Sequence, residues 1–248
     1  MGDLNESVAI VTGASSGIGE AIAIDLAAHG ATVVATARRK DRLEALASQH
    51  TNIHAIECDV ADAASVKSMI DSVMAKFGRI DILVNNAGLG LTGYATQITL
   101  DEWKQMVDVN VMGVLNCSHT AIPHLIQAAK GARGVADIVN ISSVAGRKAL
   151  PGSSVYAATK FAVNAFSDGL RQELASKHVR VSIVAPGMTE SEMIYKIRPD
   201  LLEKIKATLE AMPSMTAMQV AETVSFVVTR PAGVAVNDLL VRPTEQER

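Results

Sequence analysis

The chain has 248 residues, 48% of them hydrophobic and 20% charged, with a net charge of −3 and a pI near 6.1. That composition belongs to a globular protein and excludes a disordered or collagen-like chain, and no basic stretch offers a footprint for nucleic acid. No apolar run approaches the roughly 18 residues of a membrane span, and Met1–Ser7 carries Asp3 and Glu6 without Lys or Arg, unlike a secretory signal. The two cysteines, Cys58 and Cys117, suggest neither a disulfide framework nor a zinc knuckle. A cytoplasmic location is the expectation.

Strands and helices alternate from the start. Ser7–Thr12 reads as a buried strand, Gly17–His29 as a helix stopped by Gly30, Thr32–Thr36 as a strand and Lys40–Gln49 as a helix. Ile53–Glu57 and Ile80–Asn85 are predicted strands on either side of a helix from about Asp62 to Phe77, which Gly78 ends. Asp101–Lys130 reads as helix with a break, Ala136–Ile141 as strand, Ser153–Lys177 as a long helix and Val179–Val184 as strand. Thr216–Thr229 closes the helices and Val236–Val241 the strands. Continuous Val/Ile runs, rather than alternating ones, mark strands buried on both faces, so the pattern predicts one doubly wound α/β domain over residues 1–248 with a mainly parallel, seven-stranded sheet. Its least regular part, about 187–214, follows a strand end, where α/β folds place ligands. It admits two readings, a lid over a substrate or a surface excursion with methionine as filler.

Two sets of residues carry chemistry. In Thr12-Gly13-Ala14-Ser15-Ser16-Gly17-Ile18-Gly19 the glycines allow a sharp turn and close backbone approach to a pyrophosphate, and the amides of the following helix face an anion. The position about 20 residues on, near Ala37, lacks the carboxylate that an NAD site uses for the ribose, and Arg38 and Arg39 follow it. Adjacent guanidiniums pair with a 2′-phosphate that a carboxylate would repel, so NADP is favoured over NAD, with NADPH preferred. The second set is Tyr156 and Lys160, four apart on one helix face, with Ser143 just past the strand 136–141. An ammonium beside a phenol favours the phenolate and brings it toward acid–base use near neutrality, and a serine hydroxyl at a strand end can hold a carbonyl oxygen.

Taken together, Thr12–Gly19 as TGxxxGxG, Asn85-Asn86-Ala87-Gly88, Asn110, Ser143, Tyr156-Ala157-Ala158-Thr159-Lys160 and Pro186-Gly187 resemble the short-chain dehydrogenase/reductase family over about residues 6 to 243, in its compact single-domain branch. The resemblance implies a hydride exchange between a nicotinamide cofactor and a carbonyl or alcohol. Ser143 would polarise the carbonyl, Tyr156 would exchange the proton, Lys160 would lower the Tyr pKa and bind the nicotinamide ribose, and Asn110 would hold a relay water. The cofactor would lie along Gly13, Ser15, Ser16, Gly17, Ile18 and Gly19, along Asn86, Ala87 and Gly88, and against Asp59 and Val60. Pro186, Gly187 and Thr189 would hold its carboxamide, with Ser191 where many members have a helpful Thr. The resemblance also implies a homodimer or homotetramer.

The ending Leu239–Gln246 departs from the glycine-rich segment of many members and, with Thr36–Arg39, resembles a subgroup that includes the NADP-dependent 3-hydroxy acid (serine) dehydrogenases and clavulanic acid dehydrogenase. Within enzymes the alternative is a 3-oxoacyl thioester reductase, whose carrier would meet Lys196, Arg198, Lys204 and Lys206. A non-catalytic dinucleotide sensor is the remote alternative. Arg147 reads either as a solvated loop residue or as a partner for a substrate carboxylate. The histidine spacings predict no metal site.

Overall fold

Seven parallel strands form one sheet in the order β3-β2-β1-β4-β5-β6-β7 in a computed structural model that describes residues 4–190, 198, 201–203 and 213–246. The strands are β1 (Val8–Thr12), β2 (Thr32–Ala37), β3 (Ile53–Glu57), β4 (Ile82–Asn85), β5 (Ala136–Ile141), β6 (Val179–Pro186) and β7 (Asp238–Val241). The helices are α1 (Gly17–Ala28), α2 (Lys40–Gln49), α3 (Ala63–Phe77), α4 (Leu100–Val107), α5 (Gly113–Ala128), α6 (Ser154–Leu174) and α7 (Ala217–Val228). This is the doubly wound α/β architecture expected from the apolar runs. Most of the irregular segment 187–214, including Ser191, Lys196, Lys204 and Lys206, lies outside the described residues.

The apolar runs are buried on both sides because alternate residues enter two different cores. On β1, Ala9 and Val11 join a cluster with Ile22 and Leu26 of α1 and Val220 and Val224 of α7. Val8 and Ile10 enter the opposite cluster, with Ile70 of α3, Leu125 of α5 and Leu170 of α6. The chain reverses direction across the sheet at β1, whose neighbours are β2 and β4. At such a switch point the loops leaving adjacent strand ends diverge and open a crevice.

The expected break in the helix at 101–130 is a π-helical turn, Asp108–Met112, between α4 and α5. Sequence bounds drifted elsewhere: β6 runs on to Pro186, β4 starts at Ile82 and β7 at Asp238. Register supplies the reason for two of these, because Pro186 pairs with Val241 and Asp238 with Ile183.

At the opposite end of the sheet, the carboxylate of Asp137 is fully buried and receives Arg180 at 2.7 and 3.0 Å and Arg133 at 2.5 Å. Arg180 also donates to the carbonyls of Val228, Arg230, Pro231 and Val234, tying the end of α7 to β5 and β6. Removing one member of a buried ion pair leaves the others desolvated without a counter-charge. Asp137→Ala is therefore expected to lower stability by about 3–5 kcal/mol in denaturant titration, with secondary structure retained.

Candidate active site

The turn after β1 is shaped by its contact with the turn after β4. Gly13 has φ +69°, and a Cβ there would stand 2.8 Å from the Ala87 Cα. The Thr12 hydroxyl accepts the backbone N–H groups of Asn86 and Ala87, each at 3.0 Å, and donates to the Val84 carbonyl at 3.3 Å. The Asn86 side chain returns a bond to the Thr12 carbonyl at 2.9 Å. Thr12 thus clasps two strand ends, a role that its place in the motif does not announce.

Along the outer wall, Arg39 donates from Nε to Ser15 Oγ at 3.0 Å and from Nη2 to Ser16 Oγ at 2.6 Å, so its guanidinium lies over the glycine turn. Arg38 stands 4.0 Å from Asp59, and the Asp59 carboxylate accepts the Ala61 N–H. No acidic side chain occupies Ala37 at the end of β2.

The second half of the site is built on β5 and α6. Ser143 follows β5 in extended backbone, and its Oγ accepts the Ala145 N–H at 3.1 Å, opening a short 3-10 turn. Tyr156 and Lys160 project from the first turns of α6. The Lys160 ammonium is buried, donates to the Ile141 carbonyl at 2.8 Å and sits 5.8 Å from the Tyr156 ring centroid. Burial pulls its pKa down to about 8. Burial also raises the Tyr156 phenol, and a hydrogen bond with the Ser143 hydroxyl works in the opposite direction. In the chain by itself, burial rather than the neighbouring ammonium sets the direction for Tyr156.

Asn110, inside the π turn, is buried. Its Oδ1 accepts the Leu89 N–H at 2.7 Å, and its Nδ2 donates to the Leu89 carbonyl at 2.8 Å and to Thr159 Oγ1 at 3.0 Å. It ties the turn after β4 to the helix that bears Tyr156.

Beyond β6, Gly187 donates to the Val241 carbonyl at 2.7 Å and Met188 donates to Gln246 Oε1 at 2.8 Å. A Cβ on Gly187 would collide with that same Gln246 oxygen, so a larger residue there would displace the Gln246 side chain. Thr189 pairs with Met215, and Met215 donates to the Met188 carbonyl.

These parts enclose a single cleft of about 640 Å³. It is lined by Gly13, Ser15, Ser16, Gly17, Ile18, Gly19, Arg38, Arg39, Asp59, Val60, Asn86, Ala87 and Gly88 on one side, and by Ser143, Tyr156, Lys160, Pro186, Gly187 and Thr189 on the other. Asn110 is not on its surface and lies behind Gly88, whose Cβ would stand 3.6 Å from the Asn110 Oδ1. Ser191 lies outside the described residues. Thr92, Lys148, Met188 and Gln246 also line the cleft, and no motif singles them out. Arg147 turns to Asp238 on β7, its Nη2 shared between the two carboxylate oxygens, and is not part of the wall. Among the described residues no three His, Cys, Asp or Glu side chains could hold a metal ion, and no helix is long and apolar enough to cross a membrane.

The sequence model of short chain dehydrogenases matches residues 7–202. The chain belongs to the short-chain dehydrogenase/reductase family. It is an oxidoreductase of that family, and its relatives span nearly its whole length. A sulfoacetaldehyde reductase of Chromohalobacter salexigens is 40% identical, with 96% of this chain and 95% of that protein covered. An uncharacterized oxidoreductase of Staphylococcus epidermidis is 36% identical over 98% of this chain and all of its own. Among solved structures, the closed form of a serine dehydrogenase complexed with NADP+ superposes with a TM-score of 0.89 at 34% identity, covering 97% of this chain and 96% of that one. A 3-ketoacyl-(acyl-carrier-protein) reductase from Brucella melitensis complexed with NADH gives 0.85 at 31% identity, covering 97% and 98%.

The position of Lys160 has a measurable consequence for stability. Burial brings its pKa to about 8 in the folded chain, against 10.5 for an unburied lysine. Between those values the unfolded chain binds more protons, so this group makes stability rise with pH from about 8 to 10.5. Denaturant titrations across that range are expected to show the rise in the wild-type chain and not in Lys160→Met.

Proposed function

We propose that the protein is an NADPH-dependent reductase of short aldehydes or ketones, running the reverse oxidation when the alcohol is in excess. The observation that carries the reading is the convergence of Ser143, Tyr156 and Lys160 in one cleft with the glycine turn, the buried ammonium 5.8 Å from the phenol ring centroid. The residues fit a dinucleotide: Gly13, Ser15, Ser16, Gly17, Ile18 and Gly19 line the cleft at the amino end of α1, whose first turn receives no side-chain cap from Ser16 and so presents its amides to an anion. Gly13–Gly19 would hold the phosphates, Arg38 and Arg39 the 2′-phosphate, Asp59 and Val60 the adenine, Asn86–Gly88 the middle of the cofactor, and Pro186, Gly187 and Thr189 its carboxamide. When bound, NADPH supplies the hydride.

The chain's own groups would handle the proton. Ser143 Oγ and the Tyr156 phenol would both donate to the carbonyl oxygen, fixing its position and stabilising the charge that develops there. Tyr156, raised by burial, remains a phenol at neutral pH and so holds the proton that the new alkoxide takes. Lys160 would then stabilise the phenolate and hold the cofactor ribose, while Asn110, locked to Leu89 and Thr159, would keep its π-turn backbone in place for a relay water.

Arg39 supports the choice of NADPH. It is anchored on Ser15 and Ser16 with Arg38 beside it and no carboxylate at Ala37, and one solved relative holds NADP+ while another holds NADH. The relatives named for sulfoacetaldehyde and for serine support a short polar substrate. The thioester alternative loses one of its basic residues, because Arg198 is spent on both carboxylate oxygens of Glu102, at 2.9 and 2.8 Å. Exposed Val107, Met112 and Phe161 support assembly as a dimer or tetramer, and a cytoplasmic setting completes the reading.

Two measurements test it. Across a panel of short aldehydes, ketones and 3-oxoacyl thioesters, turnover should prefer NADPH to NADH and fall by about 10²–10⁴-fold in Tyr156→Phe, which removes the proton donor. Equal rates in that variant would rule Tyr156 out. Arg39→Ala should weaken NADPH binding by about 10–100-fold in fluorescence titration, the loss of one charge-assisted contact, with NADH binding little changed.

A further inference from the structure

Past the last rung between β6 and β7 the two strands part, and the turn that leaves β6 runs along the cleft wall. Pro186 pairs with Val241, and the Gly187 N–H still reaches the Val241 carbonyl at 2.7 Å. Met188, one residue on, lies beyond the ladder. The chain after β7 turns at Pro243, whose carbonyl accepts the Gln246 N–H at 3.0 Å. That turn brings the Gln246 side chain back to β6. Its Oε1 accepts the Met188 N–H at 2.8 Å, a side-chain rung where the backbone ladder has ended.

A glutamine just past a strand end is ordinarily a solvated surface residue. Gln246 is 9% exposed and lies on the cleft wall with Pro186, Gly187, Met188 and Thr189. Around it, every backbone polar group of Gly187 and Met188 is engaged. The Gly187 carbonyl accepts the Thr189 hydroxyl at 3.1 Å, and the Met188 carbonyl accepts the Met215 N–H at 3.0 Å. The donor left over is the Thr189 N–H, which has no partner among the described residues and belongs to a residue that lines the cleft. A turn fixed on both sides costs little further ordering when a ligand arrives, whereas a loose one must be ordered at that moment.

We infer that Gln246 is a positioning residue for the nicotinamide end of the cofactor: by holding the Met188 N–H it sets the shape of the 187–189 turn and leaves the Thr189 N–H as the donor for the carboxamide. The inference rests on the dinucleotide reading of the cleft and gives the segment after β7 a task at the reacting end. In this scheme Gln246 handles neither hydride nor proton. It acts through Met188, and its side-chain oxygen is the atom that matters.

The test separates the two ends of the cofactor. Dissociation constants are measured by calorimetry for NADPH, for NADH and for adenosine 2′,5′-bisphosphate, which carries the adenine end and the 2′-phosphate but no nicotinamide. In Gln246→Ala the affinities for NADPH and NADH should fall by the same factor, about 5–30-fold, the range of a buried donor left without its acceptor, while the bisphosphate binds as it does to the wild type. A merely structural loss would weaken all three. Gln246→Glu keeps an oxygen acceptor at the same reach and should bring both dinucleotides to within about threefold of the wild type. In the ligand-free chain, amide exchange at Met188, read by nuclear magnetic resonance, should quicken by about tenfold in Gln246→Ala and not in Gln246→Glu. Unchanged dinucleotide binding in Gln246→Ala overturns the inference. So does tighter binding, the result expected if the Gln246 amide merely occupies the place of the carboxamide, and so does equal weakening of the bisphosphate or a Gln246→Glu variant as weak as Gln246→Ala. Each of these leaves the dinucleotide reading standing, because the wild type still binds NADPH. A wild-type chain that binds neither NADPH nor the bisphosphate overturns that reading and the inference with it.

Discussion

A chain of side-chain hydrogen bonds runs across the carboxyl ends of the central strands, and the geometry of the cleft depends on it. Thr12 at the end of β1 takes the N–H groups of Asn86 and Ala87. Next to it, Asn85 on β4 donates to Ser118 of α5 at 3.0 Å and to Asn140 of β5 at 2.8 Å, and Asn140 passes on to Ser167 of α6 at 2.8 Å. These groups are buried, and the bonds they make to one another fix where the glycine turn sits relative to the helix bearing Tyr156 and Lys160. Apolar packing alone would leave that spacing loose. The polar chain gives two halves of the chain, far apart in sequence, one common reference.

Much of this was legible before the fold was known, for a physical reason. A strand buried on both faces must be apolar along its whole length, so 7–12, 32–36 and 179–184 announce themselves. A turn that approaches a neighbouring backbone as Gly13 approaches Ala87 needs glycine. Contacts between distant positions stayed hidden. Nothing in the run around Arg147 shows that its partner is Asp238, 91 residues away, and the serines that hold Arg39 look like ordinary turn residues. Gln246 is the clearest case. The departure from a glycine-rich ending was visible, but its purpose, an amide reaching back to Met188, depends on the pairing of β6 with β7. Pairing of that kind is set by tertiary structure and leaves no periodicity to read.

Charge is distributed in two layers with different tasks. At the amino ends of the strands, Asp81 and Asp137 are buried and matched by Arg79, Arg133 and Arg180, so that end of the sheet is electrically closed. At the carboxyl ends the polar groups are mostly neutral amides and hydroxyls, and Lys160 is the charge kept out of water. Fixed dipoles can orient a bound molecule without adding ions that compete for it. The closed end holds the sheet together, which leaves the open end free to be shaped by function.

The π turn at Asp108–Met112 holds one residue more than an α-helix would use for the same hydrogen-bonded ring, and Asn110 sits inside it. Deleting a single residue there would let α4 and α5 run on as one regular helix, which is the better local structure. Because the wider ring already absorbs the extra residue, the deletion would leave Met106 facing the core, and its effect would fall on Asn110, whose bonds to Leu89 and Thr159 are made from inside the wide turn. A shortening here would therefore cost the cleft rather than the fold, although a helix regarded by itself would gain from it.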